Sequence, residues 1–351
     1  MRRFVISLGL CLFAGAAGAR GVLTEFDAPG ATDGHFGGTF AISMNAQGDV
    51  VGYFAQRRRD IAFIRAPDGS FTTYKAAHRA QSTAFAINGA GTTTGPFAYD
   101  TEGIDHGFVR TADGTVVTFD GPNEAGGYGT IPVQINDSGT IAGYYSDQQD
   151  ALHGFVRAAD GAMTAFDAPG SSLSNNTGTF VTNMNARGAV TGYAIDEDFA
   201  QHGYVRHPDG NAEGFDAAGA NQDTTPSAIN DKGVICGWYS DGNMVSHGFL
   251  RAADGALTFF DAPRAGTLPD QGTFGYALND KGVVVGYYVD ANYAYHGFLR
   301  SREGRFTTID APDGGTAQTQ GTFVEAVNDD GSTMGFYIDA RNVFHGFVRT
   351  P

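Results

Sequence analysis

Residues 143–157 read GYYSDQQDALHGFVR, and this stretch decides the fold because the chain keeps returning to it. Its end recurs as His106-Gly107-Phe108, His153-Gly154-Phe155, His202-Gly203-Tyr204, His247-Gly248-Phe249, His296-Gly297-Phe298 and His345-Gly346-Phe347, with Ala62-Phe63-Ile64-Arg65 as an eroded first copy. The period is 45 to 49 residues, measured between Phe26, Tyr74, Phe119, Phe166, Phe215, Phe260 and Ile309. A length of 351 residues would allow two ordinary domains, but a fixed internal period overrides that prior and predicts one repeat domain.

Each copy carries four strand signals. In the third they cover residues 130–136, 140–145, 154–157 and 163–167, all short, rich in β-branched and aromatic residues, and separated by turn residues. No stretch beyond the first residues has helical periodicity, so the expected fold is all-β. Asn136-Asp137-Ser138-Gly139 and Ala159-Asp160-Gly161 are tight hairpin turns, and both recur in the other copies. Only the connection after the Phe-Asp-Ala-Pro segment is long, as at residues 168–178 and 262–272. A chain leaving the outer edge of a four-stranded sheet must cross about 14 Å to start the next sheet at the centre, and only this connector reaches that far. The G-T-F…I-N strand is therefore innermost and the F-D-A-P strand outermost.

This period and strand count predict a seven-bladed β-propeller of four-stranded antiparallel blades, at approximately residues 38–75, 82–120, 129–167, 178–216, 223–261, 272–310 and 321–349. The chain opens on an isolated fourth-type strand, residues 22–27, and ends on a third-type strand. The N-terminal strand is thus expected to complete the last blade and close the ring. The H-G-F-V-R, I-N-D-x-G-x-I-x-G-Y-Y and F-D-A-P-G segments resemble the bacterial extracellular repeat family named for its His-Ala-Phe motif, with Gly here in place of Ala. The likeness covers nearly all of residues 20–351. It implies export and a propeller-like repeat fold, and implies no reaction, ligand or catalytic residue.

Residues 1–19 read as an export signal: Arg2 and Arg3, the apolar run 4–14, then Ala17-Gly18-Ala19 as a cleavage site. The expected location is periplasmic or secreted. The apolar run falls short of the ~20 residues a membrane span needs, and no other segment approaches it. Leu10 ahead of Cys11 argues against a lipid anchor, and cleavage would leave Cys236 alone, with no disulfide to form. Without Arg2 and Arg3 there are 20 basic against 38 acidic residues, a charge that disfavours nucleic acid and anionic membranes as partners. A monomer is expected, with a glycan, a cell-surface component or a protein as partner.

An Asp stands six residues before each intact repeat His, from Asp100 and His106 to Asp339 and His345. A ring of metal ligands is excluded because His starts the third strand, about 10 Å further out than the inner strand, so that residues of different blades cannot converge on one ion. The pair reads as a clasp across the loop between strands two and three. The Asp of F-D-A-P, from Asp27 to Asp310, reads as holding its own turn, with Lys75 replacing it in the first copy. No EF-hand loop, phosphate-cradling Gly loop, G-x-S-x-G, H-E-x-x-H or C-x-x-C occurs, and no cofactor or metal is expected. The densest acidic cluster, Asp196, Glu197 and Asp198, is the place to inspect for a cation, and otherwise a solvated loop.

A binding site is expected where the copies differ. The loops between strands two and three share a face with the long connectors, and there Asp33, Phe36, Tyr128, Asp270, Gln271 and Gln320 are candidates for ligand contact. On the inner strands the residue three before Asn also varies: Ile42, Phe85, Val133, Thr182, Ser227, Tyr276 and Glu325. Glu325 and Tyr276 on neighbouring strands, with His35 from the loop above, are the candidates for acid–base chemistry. Trp238 and Cys236 replace like for like and read as core. The expected function is a binding module for an extracytoplasmic ligand, with no specific activity identifiable; the alternatives are a polysaccharide hydrolase or lyase working at the channel mouth, and a scaffold.

Overall fold

The computed structural model describes residues 21–351 except 33, 35, 36, 58, 100–102, 123–128 and 218–222. The described residues form strands and turns, with no helix. In the fourth repeat Gly178–Met184, Val190–Ile195, Gln201–Arg206 and Ala212–Phe215 pair antiparallel in that order, from the inner to the outer strand. The first repeat builds the same set from Thr39–Met44, Val50–Gln56, Arg59–Arg65 and Phe71–Tyr74. In the second repeat the inner strand is split into Ala80–Ser82 and Ala86–Ile87. The last repeat supplies only Gly321–Val327, Thr333–Ile338 and Phe344–Thr350 from its own sequence. Its fourth strand is Val22–Phe26, antiparallel to Phe344–Thr350, with Val22 opposite Thr350 and Phe26 opposite Gly346.

Hydrogen bonding joins the strands into sheets of 12, 8, 5 and 4. Between repeats, however, the joins are single parallel residue pairs: Leu152 with Gly178, Ser246 with Gly272 and Tyr295 with Gly321. Isolated bridges of the same kind link Asp105 to Gly129, Gln201 to Asp223, and Phe344 of the last repeat to Gly38 of the first. One pair is a stitch rather than a ladder, so the four-strand set is the building unit of an all-β, propeller-like fold.

The repeated motif residues build the contact between successive repeats. The outer-strand aromatic of one repeat meets the buried Phe or Tyr of the next edge-on at 6.0 to 6.4 Å, in the pairs Phe26–Phe63, Tyr74–Phe108, Phe119–Phe155, Phe166–Tyr204, Phe215–Phe249 and Phe260–Phe298. The Arg two residues further on lies over the same ring at 4.7 to 4.9 Å, from Arg65 over Phe26 to Arg300 over Phe260. Each such cation–π contact contributes roughly 0.5–2 kcal/mol and each aromatic pair about 0.5–1.5. The other face of the ring presses on the Gly of the His-Gly-Phe motif, where a Cβ on Gly346 would stand 2.5 Å from Phe26 and one on Gly107 2.7 Å from Phe119. At Gly107 and Gly346 the ring occupies the place that a Cβ would take.

At the end of each inner strand the Asn of the hairpin turn binds two repeats at once. Asn230 Oδ1 accepts from Lys232 N at 3.1 Å and Val234 N at 3.0 Å, fixing its own turn, while Nδ2 donates to the Asn279 carbonyl at 3.1 Å. The same donation runs from Asn45 to Asn88, Asn88 to Asn136, Asn136 to Ala186, Asn185 to Asn230 and Asn279 to Asn328, and Asn328 donates to the Asn45 carbonyl at 2.8 Å.

Phe26 therefore carries both an edge and an interface. Deleting residues 21–29 bares the edge of Phe344–Thr350 and strips Phe63 and Arg65 of their ring. We expect the melting temperature to fall sharply, with loss of a single cooperative transition, in circular dichroism melts; an unchanged melt would reject this role for the strand.

Candidate functional site

Every inner strand breaks register at one residue. The ladder to the second strand slips between Ala41 and Ser43, Pro132 and Gln134, Val181 and Asn183, Pro226 and Ala228, Gly275 and Ala277, and Val324 and Ala326. In the second repeat the strand parts around Phe85, whose N–H donates to the Thr94 carbonyl at 2.9 Å. A bulge leaves one residue outside the ladder and re-aims its side chain. The residues so placed are Ile42, Phe85, Val133, Thr182, Ser227, Tyr276 and Glu325, the inner-strand series that differs in every copy, and all seven line one central cavity of about 840 Å³. The second-strand glycine opposite each bulge makes it possible: a Cβ at Gly52, Gly192, Gly286 or Gly335 would collide with the carbonyl of Phe40, Phe180, Phe274 or Phe323.

The ring is uneven. Ile42, Phe85 and Val133, from the first three repeats, form an apolar arc, and Thr182, Ser227, Tyr276 and Glu325 a polar one. Tyr53, Tyr144, Phe180, Tyr193 and Trp238 add aromatic wall, and the turn residues Asp231, Asp280 and Asp329 line the end of the cavity where the Asn side chains link the repeats. Glu325 keeps only 8 % of its surface exposed, and its carboxyl accepts a hydrogen bond from the Tyr276 hydroxyl. Burial pushes the Glu325 pKa up to about 8, against the smaller opposing effect of that bond. The charge of Glu325, then burial, hold the Tyr276 phenol well above its usual range. Tyr276 nevertheless exposes 41 % of its surface, because the water it meets is that of a cavity walled by protein. Burial, then the negative charges of Asp60 and Glu325, push Tyr53 to about 12.

The structure brings Glu325 and Tyr276 together as neighbours on one wall; His35 lies outside the described residues, as do Asp33, Phe36 and Tyr128. Asp270 is an exposed loop residue at φ 63°. Gln271 and Gln320 correct the sequence reading: they are 0 % and 7 % exposed. Gln271 Oε1 accepts from Leu268 N at 3.0 Å, while Gln320 Oε1 accepts from Ala317 N at 3.3 Å and its Nε2 donates to Asn342 Oδ1 at 3.0 Å. Both amides turn inward to staple the long connectors, whose buried backbone groups need partners. Asp196 is likewise committed, its Oδ1 capping Asp198 N and Ala200 N and its Oδ2 3.1 Å from His202 Nε2, while Glu197 and Asp198 are exposed. Among the described residues no group of three His, Cys, Asp or Glu side chains is arranged to hold a metal ion. Trp238, expected in the core, is a cavity-lining residue, whereas Cys236 is fully buried with its thiol pushed up to about 12 by burial.

The repeated His has two carboxylate partners, and the closer is not the one nominated from sequence. Nδ1 lies 2.7 to 3.1 Å from the outer-strand Asp in the pairs His106–Asp120, His153–Asp167, His202–Asp216, His247–Asp261, His296–Asp310 and His345–Asp27. Nε2 faces the loop Asp at 3.1 to 3.8 Å in the five copies from His153 onward, and Asp100 lies outside the described residues. The ladder explains the correction: Gly154 pairs with Phe166, so His153 and Asp167 are adjacent across two strands. In the first repeat Ile61 and Lys75 replace both partners together. The bond to Asp310 holds His296 above its usual pKa, as the bond to Asp27 holds His345; in His202 the bonds to Asp196 and Asp216 outweigh the downward push of burial.

No family model matches the chain, and no curated protein matches it in sequence. Solved structures do match. A streptogramin B lyase aligns with a TM-score of 0.60 at 14 % identity, over 93 % of this chain and 97 % of its own. A puromycin hydrolase S511A mutant complexed with PGG aligns with a TM-score of 0.53 at 14 % identity, over 89 % of this chain and 53 % of its own. At such identities the likeness is one of fold, that of a propeller-like protein, and carries no reaction across.

A pH dependence follows. Glu325 and the three histidines have raised folded-state pKa values, so their stabilising contributions are complete below the unfolded values and are lost as pH rises through the folded ones. Melting temperature should therefore fall from pH 6 to pH 9 in calorimetry. Glu325→Gln, which keeps the shape and cannot ionise, should fall less and exceed wild type at pH 9; parallel declines would contradict the buried, raised carboxyl.

Proposed function

We propose that the chain is a closed seven-bladed propeller, working outside the cytoplasm, that binds a ligand in its central cavity. Closure is supported by three contacts between the last repeat and the first: Asn328 with Asn45, Phe344 with Gly38, and Phe26 of the added outer strand with Phe63 and Arg65. The leader-like residues 1–19 and the resemblance to the His-Ala-Phe repeat family support export.

One observation carries the binding role. The inner strands repeat their flanking residues and change the one side chain that the bulge aims into the cavity. A scaffold has no use for seven different residues at that position, whereas a ligand seat needs an asymmetric lining. The volume suits a small molecule or the terminal group of a glycan or surface component, since ligand sites typically enclose ~300–1,000 Å³. Catalysis has one favourable feature, the buried Glu325 carboxyl with its raised pKa beside Tyr276. Glycoside hydrolysis, however, calls for a second carboxylate to act as base or nucleophile. The remaining carboxylates of the lining, Asp231, Asp280 and Asp329, already accept backbone N–H groups of the preceding repeat at 2.8 to 3.0 Å. Binding is the function these groups support.

Filling the cavity tests the proposal. A panel of mono- and disaccharides, amino acids and amines would be screened by thermal shift against wild type, Ser227→Phe and Thr182→Phe. Compounds that raise the wild-type melting temperature should lose that effect in the folded filled variants. A panel without effect on wild type, or equal shifts in all three proteins, would overturn the cavity as the seat.

A further inference from the structure

The described lining of the central cavity holds four carboxyl groups, those of Glu325, Asp231, Asp280 and Asp329, and no Lys, Arg or His. The three Asp side chains form a rim, fixed by the backbone N–H groups of Ala186, Asp231 and Asp280. Lys232, whose ammonium donates to the exposed Asp280 carbonyl, and the exposed Lys281 belong to the solvent side of that rim. Glu325 stands within the inner strand Gly321–Val327, and Asp329 in the turn that follows it. The titratable groups facing it are the phenols of Tyr276, Tyr287 and Tyr53, from the neighbouring inner strand and two second strands. A buried carboxyl beside phenol groups in an aromatic-walled cavity favours a cation as its partner.

Resting on the cavity as the ligand seat, we infer that its ligand is an organic cation: a protonated or quaternary amine on an apolar body, with the charge at Glu325 and the body along Ile42, Phe85 and Val133. The three rim carboxylates repel an anion, and a chain of formal charge −16 draws cations toward the rim. A bare metal ion needs several oxygen ligands, and no such cluster is assembled among the described residues. An ammonium is served by this lining, which sets the aromatic side chains of Tyr53, Tyr276 and Trp238 in the same cavity as Glu325. The pH behaviour has a defined sign. Because Glu325 titrates near 8, binding a cation below that pH displaces its proton.

Trp238, the only tryptophan of the chain, lines the cavity and reports its occupancy by fluorescence. The probes are 2-phenylethyltrimethylammonium, 2-phenylethanol and phenylacetate. The ammonium should change the Trp238 emission saturably and bind about tenfold or more tightly than the other two. Its apparent affinity should rise about tenfold per pH unit from pH 6 and level off above about 8, with close to one proton released at pH 6.5 in calorimetry. Glu325→Gln should erase the preference for the cation; if that variant does not fold, the wild-type pH profile and Glu325→Asp, which keeps the charge and the preference, decide. Equal binding of alcohol and ammonium, or a cation preference that survives in Glu325→Gln, overturns the cation and leaves the cavity as a seat. Silence from all three probes also overturns the cation seat. Ammonium binding that persists unchanged in Ser227→Phe overturns both readings.

Discussion

A buried side-chain amide that must be satisfied from two repeats at once sets the geometry of this protein. The Oδ1 of Asn230 is consumed by two N–H groups of its own turn, and the Nδ2 that remains reaches only the carbonyl at the same position of the next repeat. Leaving that group unpaired costs about 1–3 kcal/mol, so each turn is held at a fixed distance from its neighbour. A second set of contacts acts further out, where an aromatic ring of one repeat, such as Phe166, lies between its own Gly154 and the Arg206 and Tyr204 of the next. With spacing fixed at two radii, the inner strands surround a cavity instead of collapsing onto each other.

That frame frees one position per repeat. The bulge residue takes no part in the Asn links or the edge-on aromatic contacts, so it can change without disturbing them, although Thr182 Oγ1 also donates to the Pro226 carbonyl of the next repeat at 2.8 Å. Seven identical bulge residues would give a symmetric cavity; the seven found here give an apolar side, a polar side and one carboxyl. The cost falls on Glu325, whose burial favours its neutral form, and on the glycines that must face each bulge. Residues that strain an otherwise repetitive fold belong at functional sites more often than elsewhere.

Much of this was legible in the residues. The four strands, the tight Asn-Asp turns and the long connectors follow from turn chemistry and strand length, and the opening strand finds its partner where the repeat arithmetic leaves a gap. The variable inner series was visible as well, but its meaning was not, because a one-residue bulge leaves the strand pattern unbroken. The clue was the second-strand glycine at Gly52, Gly143, Gly192 and their equivalents, which no turn explains. Partners across the ladder were harder still: His153 and Asp167 are fourteen residues apart, and only strand register makes them adjacent. Gln271 and Gln320 misled because a polar residue that occurs once in a loop reads the same whether it faces solvent or folds back to satisfy it.

The ligand seat depends on a Glu325 carboxyl that is buried in the cavity and neutral near pH 6. Infrared difference spectroscopy between wild type and Glu325→Gln across pH 5 to 10 observes that group directly, through the carbonyl stretch of a protonated carboxylic acid. The band should be present at pH 6 and vanish with a midpoint near 8. A carboxyl already ionised at pH 5 would contradict it.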